Sequence, residues 1–150
     1  MPDSMNRSKP SRRSFLSLVP LVLVGWTATP FEGRNAIPPS RGPGDHPEPR
    51  PGIDASQVLT AETLRADGFG DDVVEVFDMV RQIPRIADGL ACYCGCMSMG
   101  NRSLLTCYHE GGMAAGCQIC QGEGRLAYRR WKEGQTLDQI RRAIDARFDR

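Results

Sequence analysis

Six cysteines, at positions 92, 94, 96, 107, 117 and 120, fall in one short stretch of a 150-residue chain, and none lies elsewhere. A disulfide framework spreads its bridges along a fold, because loop closure is what a bridge constrains. Cysteines packed this densely point instead to sulfurs converging on one centre. The rest of the chain then has to deliver them there from several segments.

The spacing is C-x-C-x-C, ten residues, C, nine residues, C-x-x-C. In an extended chain Cys92, Cys94 and Cys96 face one side. A rise of about 3.3 Å per residue puts neighbouring Cα atoms of the triplet about 6.6 Å apart, near the upper limit of disulfide geometry. Three thiolates side by side suit a metal ion or metal cluster better than bridges. Cys117 and Cys120, at a helix start, supply two more ligands in the manner of a zinc knuckle, and a helix N-terminus favours the thiolate form. The expected metal ligands are therefore Cys92, Cys94, Cys96, Cys107, Cys117 and Cys120.

Two further residues join them as candidates. Met97, Met99 and Met113 lie among the cysteines, and thioether with thiolate is a soft donor set that suits copper(I), whereas zinc takes Cys and His. Met113 is the candidate ligand among them, although methionines also fill gaps in small cores. His109 is the one histidine in 55–150 and a candidate ligand, or else an exposed side chain in a Gly-rich loop. The metal ion is copper(I) or zinc.

Three alternatives stay open. Six cysteines allow three disulfides in 15 connectivities. Cys117-Gln118-Ile119-Cys120 has the spacing of thiol–disulfide oxidoreductases, although those motifs follow a strand. An iron–sulfur cluster fits no ferredoxin spacing here, and covalent haem would need a histidine where Gln121 stands.

The N-terminus reads as an address. Residues 11–17 are Ser-Arg-Arg-Ser-Phe-Leu-Ser, followed by an apolar run over 18–26. Paired arginines before a short apolar stretch make a twin-arginine export signal, assigned to 1–29. The 12 residues of 15–26, interrupted by Pro20, are too few for a span, which needs about 20. The expected location is periplasmic or extracellular, with a membrane tether only if the signal stays uncleaved. Twin-arginine systems carry folded proteins, so a thiolate site can be filled before export. A Pro/Gly-rich linker follows over 30–54, where seven of the residues in 30–51 are proline. His46 lies within it and reads as solvated.

The fold class expected for 55–150 is mainly α: a small helical domain with an irregular Cys-rich loop, preceded by the signal peptide and the Pro-rich linker. Thr60 caps a short turn through Leu64 that ends at Asp67-Gly68. Asp71 or Asp72 caps a helix with a stripe of Val73, Val76, Phe77, Val80 and Ile83. Pro84 interrupts it, Ile86 and Leu90 continue on a second short turn, and Gly89 lets the chain swing into the cysteines. Residues 92–100 read as an extended loop or knuckle, and 103–107 as a helical turn presenting Cys107. Gly111, Gly112 and Gly116 mark a flexible return.

A helix then runs over 117–133 with Gly134 as its stop. Positions 117, 120, 124, 127 and 131 share one face. Gly122 and Gly124 either end this helix early or admit a close approach to its backbone. Thr136 and Gln139 form a capping box for a last helix carrying Leu137, Ile140, Ile144 and Phe148.

Residues 83–148 resemble the exported bacterial proteins, often lipoproteins, named for their PCYCGC motif. The residues that carry the likeness are Cys92-Tyr93-Cys94-Gly95-Cys96, Ser103-Leu104-Leu105-Thr106-Cys107, Cys117-Gln118-Ile119-Cys120, Gly134-Gln135-Thr136-Leu137, and Ile140-Arg141 to Ile144-Asp145. The family has no settled activity, and its metal binding is inferred from its cysteines. Ala91 stands at the motif's proline, Asn101 where a histidine is common, and Met113 at a second usual histidine. Fewer imidazoles weaken a Cys/His zinc site and favour an all-sulfur one.

Residues 53–150 hold 12 basic and 14 acidic side chains, a net of −2, which excludes the positive excess of a nucleic-acid binder. Arg125, Arg129, Arg130, Lys132, Arg141 and Arg142 read as a solvated helix surface, with a docking face for an acidic partner as the alternative. No paired carboxylates, Ser/His/Asp set or phosphate-binding Gly loop is apparent. The expected role is soft-metal handling or structural support, with a protein partner for metal transfer. The rival reading is thiol–disulfide exchange through Cys117 and Cys120, or a disulfide-stapled interaction domain.

Overall fold

The stripe of Val73, Val76, Phe77 and Val80 forms the buried face of the helix about which the other elements pack. The computed structural model describes residues 45–149; the export signal expected over 1–29 and the expected linker up to residue 44 lie outside the described residues. Five helices follow in order: α1 (Ala61–Ala66), α2 (Asp71–Arg81), α3 (Pro84–Asp88), α4 (Gln118–Lys132) and α5 (Leu137–Phe148). Single 3-10 turns at Cys96–Met99, Leu105–Tyr108 and Ala114–Gly116 carry the chain between α3 and α4. Among the described residues there is no strand, only an isolated bridge between Val58 and His109. No helix there is long and apolar enough to cross a membrane. The architecture is mainly α.

Local chemistry accounts for most boundaries. The Thr60 hydroxyl accepts the Thr63 amide at 3.2 Å and starts α1. Gly70 rather than Asp71 or Asp72 caps α2; both aspartates lie inside its first turn, where the helix dipole favours negative charge. Pro84 occupies the first turn of α3, which its missing N–H tolerates. The Thr136–Gln139 capping box is formed in both directions, at 3.4 and 2.8 Å.

The core lies between α2, α4 and α5. Val76, Phe77 and Val80 share one buried cluster with Ala127, Ile140 and Ile144, all essentially without exposure. Each large apolar side chain fully buried here stabilises the fold by roughly 1.5–3 kcal/mol. Tyr108, from the turn after Cys107, stacks edge-on against Phe77 with centroids 4.7 Å apart. Its hydroxyl donates to the Cys120 carbonyl at 2.7 Å. A Cβ on Gly124 would stand 2.3 Å from that hydroxyl. Of the two roles open to this glycine, close approach is the one realised: α4 continues through it and admits Tyr108. Trp131, on the face shared with Cys120 and Ala127, is 38% exposed, so that face is buried only along its middle.

The end of the Pro-rich stretch is packed. His46 is not solvated: its side chain is 5% exposed, with Nε2 2.8 Å from Asp145 on α5. Its Nδ1 accepts the Ala91 amide at 2.9 Å. An acceptor Nδ1 places the ring proton on Nε2, facing the carboxylate. Arg141, read from sequence as surface, donates to the carbonyls of Gly89 and Pro47 at 3.1 and 2.8 Å and clamps this segment to α5.

Asp88 closes α3 as a fully buried carboxylate. It accepts the Arg50 amide and guanidinium, both at 2.8 Å, the Ser103 hydroxyl at 3.0 Å, and pairs with Arg102 at 3.1 Å. One side chain thereby joins the 46–50 segment, α3 and the chain leading to Cys107.

Candidate metal centre

Cys92 leaves α3 through the buried Leu90 and Ala91. The chain then turns rather than extending. Gly95, at φ +88°, occupies the left-handed region that only glycine enters freely, and Cys96 opens a 3-10 turn. Of the extended loop and the knuckle open to this stretch, the triplet forms a tight, knuckle-like loop. Cys107 comes from the turn Leu105–Tyr108, Cys117 is the N-cap of α4, and Cys120 lies in that helix's first turn.

These segments bring all six sulfurs together. The Sγ atoms of Cys96 and Cys107 are 3.1 Å apart, those of Cys92 and Cys94 3.3 Å, and those of Cys92 and Cys120 3.5 Å. All six are free thiols, and these separations far exceed the bond of about 2.05 Å in a disulfide. Two groups form in which every sulfur lies within 4.8 Å of the others: Cys92, Cys94, Cys96 and Cys107, and Cys94, Cys117 and Cys120. A tetrahedral ion with metal–sulfur bonds of about 2.3 Å needs sulfurs about 3.8 Å apart, so the first group matches that demand within small side-chain shifts. The cluster can hold a metal ion.

Sulfur crowding also divides the protons. Hydrogen bonding with Cys107 brings Cys92 down to about 7 and Cys120 down to about 6. Cys107, hydrogen-bonded to Cys120 and Cys92, is pushed far up, and burial raises Cys94. Cys96 is raised as well: its bond with Cys107 favours the thiolate, but Cys92 and burial outweigh it. At neutral pH the cluster thus combines thiolates with thiols that hold their protons. Metal capture would release the protons of those thiols, making affinity fall with acidity.

His109 belongs to neither sulfur group among the described residues. It lines a cleft of about 550 Å³ with Ser56, Thr60, Asn101 and Thr106. Its Nε2 is buried without a partner among those residues, and burial holds its pKa below the usual histidine range. Met113 is 40% exposed and Met99 67%, whereas Met97 packs against the core.

Comparison with known proteins returns no matching family model, no matching curated protein and no matching solved structure.

Sequence reasoning missed Glu123. It is fully buried on α4 one turn beyond Cys120, and its Oε1 accepts the Tyr93 amide at 2.7 Å. Burial, followed by the charge of Cys92, raises its pKa to about 10, so the carboxyl is neutral beside the sulfurs. A glutamate between Cys120 and Ala127 on an inward face was the available signal. With His46 on the Ala91 amide and Glu123 on the Tyr93 amide, both backbone amides flanking Cys92 are held by buried side chains. The Tyr93 hydroxyl donates to Asp145, the same carboxylate that His46 meets. Outer contacts of this kind fix ligands in place before an ion arrives.

Proposed function

We propose that this chain is an exported small domain that binds a soft metal ion, copper or zinc, through its clustered cysteines. The convergence of six unpaired sulfurs from the 92–96 loop, the Cys107 turn and the start of α4 carries this reading. Thiolate donors select copper(I) and zinc over hard cations, and the absence of any histidine in the two sulfur groups favours the all-sulfur end of that range. The role is metal handling (binding, delivery or resistance), or structural support of the domain. A partner for metal transfer and kinship with the PCYCGC-motif proteins belong to the same proposal, as does export through the twin-arginine signal.

Protein purified natively and without oxygen is expected to carry metal, with most thiols unreactive until a chelator is added. No metal, together with three disulfides, would overturn the proposal.

One observation favours a second reading. Cys120, held near 6, stands three residues from the half-exposed Cys117 at a helix start, as an exchanging dithiol requires. Against it, the low-pKa sulfur is the fully buried one. Insulin reduction abolished by Cys117→Ser would support exchange.

A further inference from the structure

The two sulfur groups overlap in one atom. Cys94 belongs to both and the other five cysteines to one each, and Cys120 of the second group also stands 3.5 Å from Cys92 of the first. A single four-coordinate ion uses four donors and would leave two of six thiolates without a role. With one ion on four of the sulfurs, the other two would stay outside the coordination shell although they lie within the same cluster; a second soft ion makes ligands of them. A thiolate sulfur has lone pairs enough to bind two soft ions at once.

Exposure divides the two groups. In the first, Cys92, Cys96 and Cys107 are 4%, 0% and 1% exposed, and only Cys94 reaches towards solvent. In the second, both Cys94 and Cys117 are half-exposed, with Cys120 behind them. A filled four-sulfur position is coordinatively closed, whereas a three-sulfur position at the surface leaves a place for an incoming ligand. The chain segments agree with this division. The four-sulfur group ties the 92–96 loop to the Cys107 turn, which Tyr108 anchors in the core; the three-sulfur group lies where the loop meets the start of α4.

Resting on the metal-binding reading above, we infer that the cluster is a two-ion centre with Cys94 as the shared sulfur. The closed position (Cys92, Cys94, Cys96, Cys107) holds the loop to the core. The open position (Cys94, Cys117, Cys120) carries the ion that exchanges with a thiol-bearing donor or acceptor. Exchange there is a ligand substitution: each incoming thiolate displaces one cysteine sulfur, and no electron is transferred.

The test is anaerobic loading of the full reduced chain with cadmium-113, a thiophilic NMR-active ion. Two ions per chain are expected, giving two resonances in the all-sulfur range, coupled to each other through the common sulfur. Chelator should remove one ion in a fast phase and the other in a slow one. Cys117→Ser should retain one ion and lose only the fast phase, while Cys94→Ser should abolish the coupling. One ion per chain in the wild type, or two uncoupled resonances, would overturn the shared-sulfur centre and leave metal binding intact. A fully reduced chain that takes up no cadmium would overturn the metal-binding reading itself.

Discussion

Removing the metal with a chelator, with the thiols kept reduced, should lower the melting temperature of this domain by about 12 °C or more. A structural zinc contributes about 10–16 kcal/mol in a peptide that has no other core. The effect here is smaller, because the core that takes in the cysteines also buries Val76, Phe77, Val80, Ala127, Ile140 and Ile144, which bind no metal. Even about 3 kcal/mol corresponds to a shift of about 12–24 °C in a domain of this size. The loss should be local as well as global. Between α3 and α4 the chain has only three single 3-10 turns, and most of its backbone hydrogen bonds reach back only three residues. Amide exchange should therefore accelerate over 92–117 in the metal-free protein, while α2 and α5 stay protected. Identical melting and exchange with and without metal would contradict the assignment of the cluster as a structural ligand set.

Asp88→Ala should cost about 3 kcal/mol, at the lower end of the 3–5 kcal/mol seen when a buried pair loses one partner. The carboxylate is completely enclosed, whereas the side chains of Arg50 and Arg102 are 42% and 32% exposed. Water therefore compensates part of what the arginines lose. Burial alone would raise the Asp88 pKa, but its bonds from Arg50, the charge of Arg102 and the Ser103 hydroxyl outweigh burial and hold it below the usual carboxylate range. A folded pKa below the unfolded value means that this contribution is complete above about pH 4 and is lost as the pH falls towards the folded value. Urea unfolding at pH 7 should show the full deficit of the alanine variant. The difference from wild type should shrink on acidification below pH about 4. A deficit that stays constant with pH would indicate packing rather than charge.

What could be read from the chain was what is local to it. The Thr136–Gln139 box needs only a four-residue pattern, and the α2 stripe only a 3.6-residue period; both form as their residues dictate. Gly134 after α4 and Thr60 before α1 are equally local. The misjudged parts depend on residues far away in the chain. His46 sits among prolines and looks solvated, yet its partners are Ala91, 45 residues on, and Asp145, 99 residues on. Residues 92–100 read as an extended loop or knuckle, because so many Cys and Gly do not suit a regular helix. Gly95 reverses the chain, so the sulfurs converge with those of Cys107 and Cys120. Glu123 went unnoticed because a glutamate on a helix ordinarily faces water. It is buried because the Tyr93 amide and the Cys92 sulfur close over it. The cysteines themselves were legible as a cluster from density alone, but their division into two overlapping groups was not. That division depends on where Cys94 falls between two distant segments.

The most direct test of a thiolate metal centre is X-ray absorption at the metal edge of protein purified with its native metal. The prediction is a first shell made entirely of sulfur, at about 2.3 Å if the ion is zinc. A shell dominated by nitrogen or oxygen, or sulfur coordination that survives replacing all six cysteines by serine, would contradict the account.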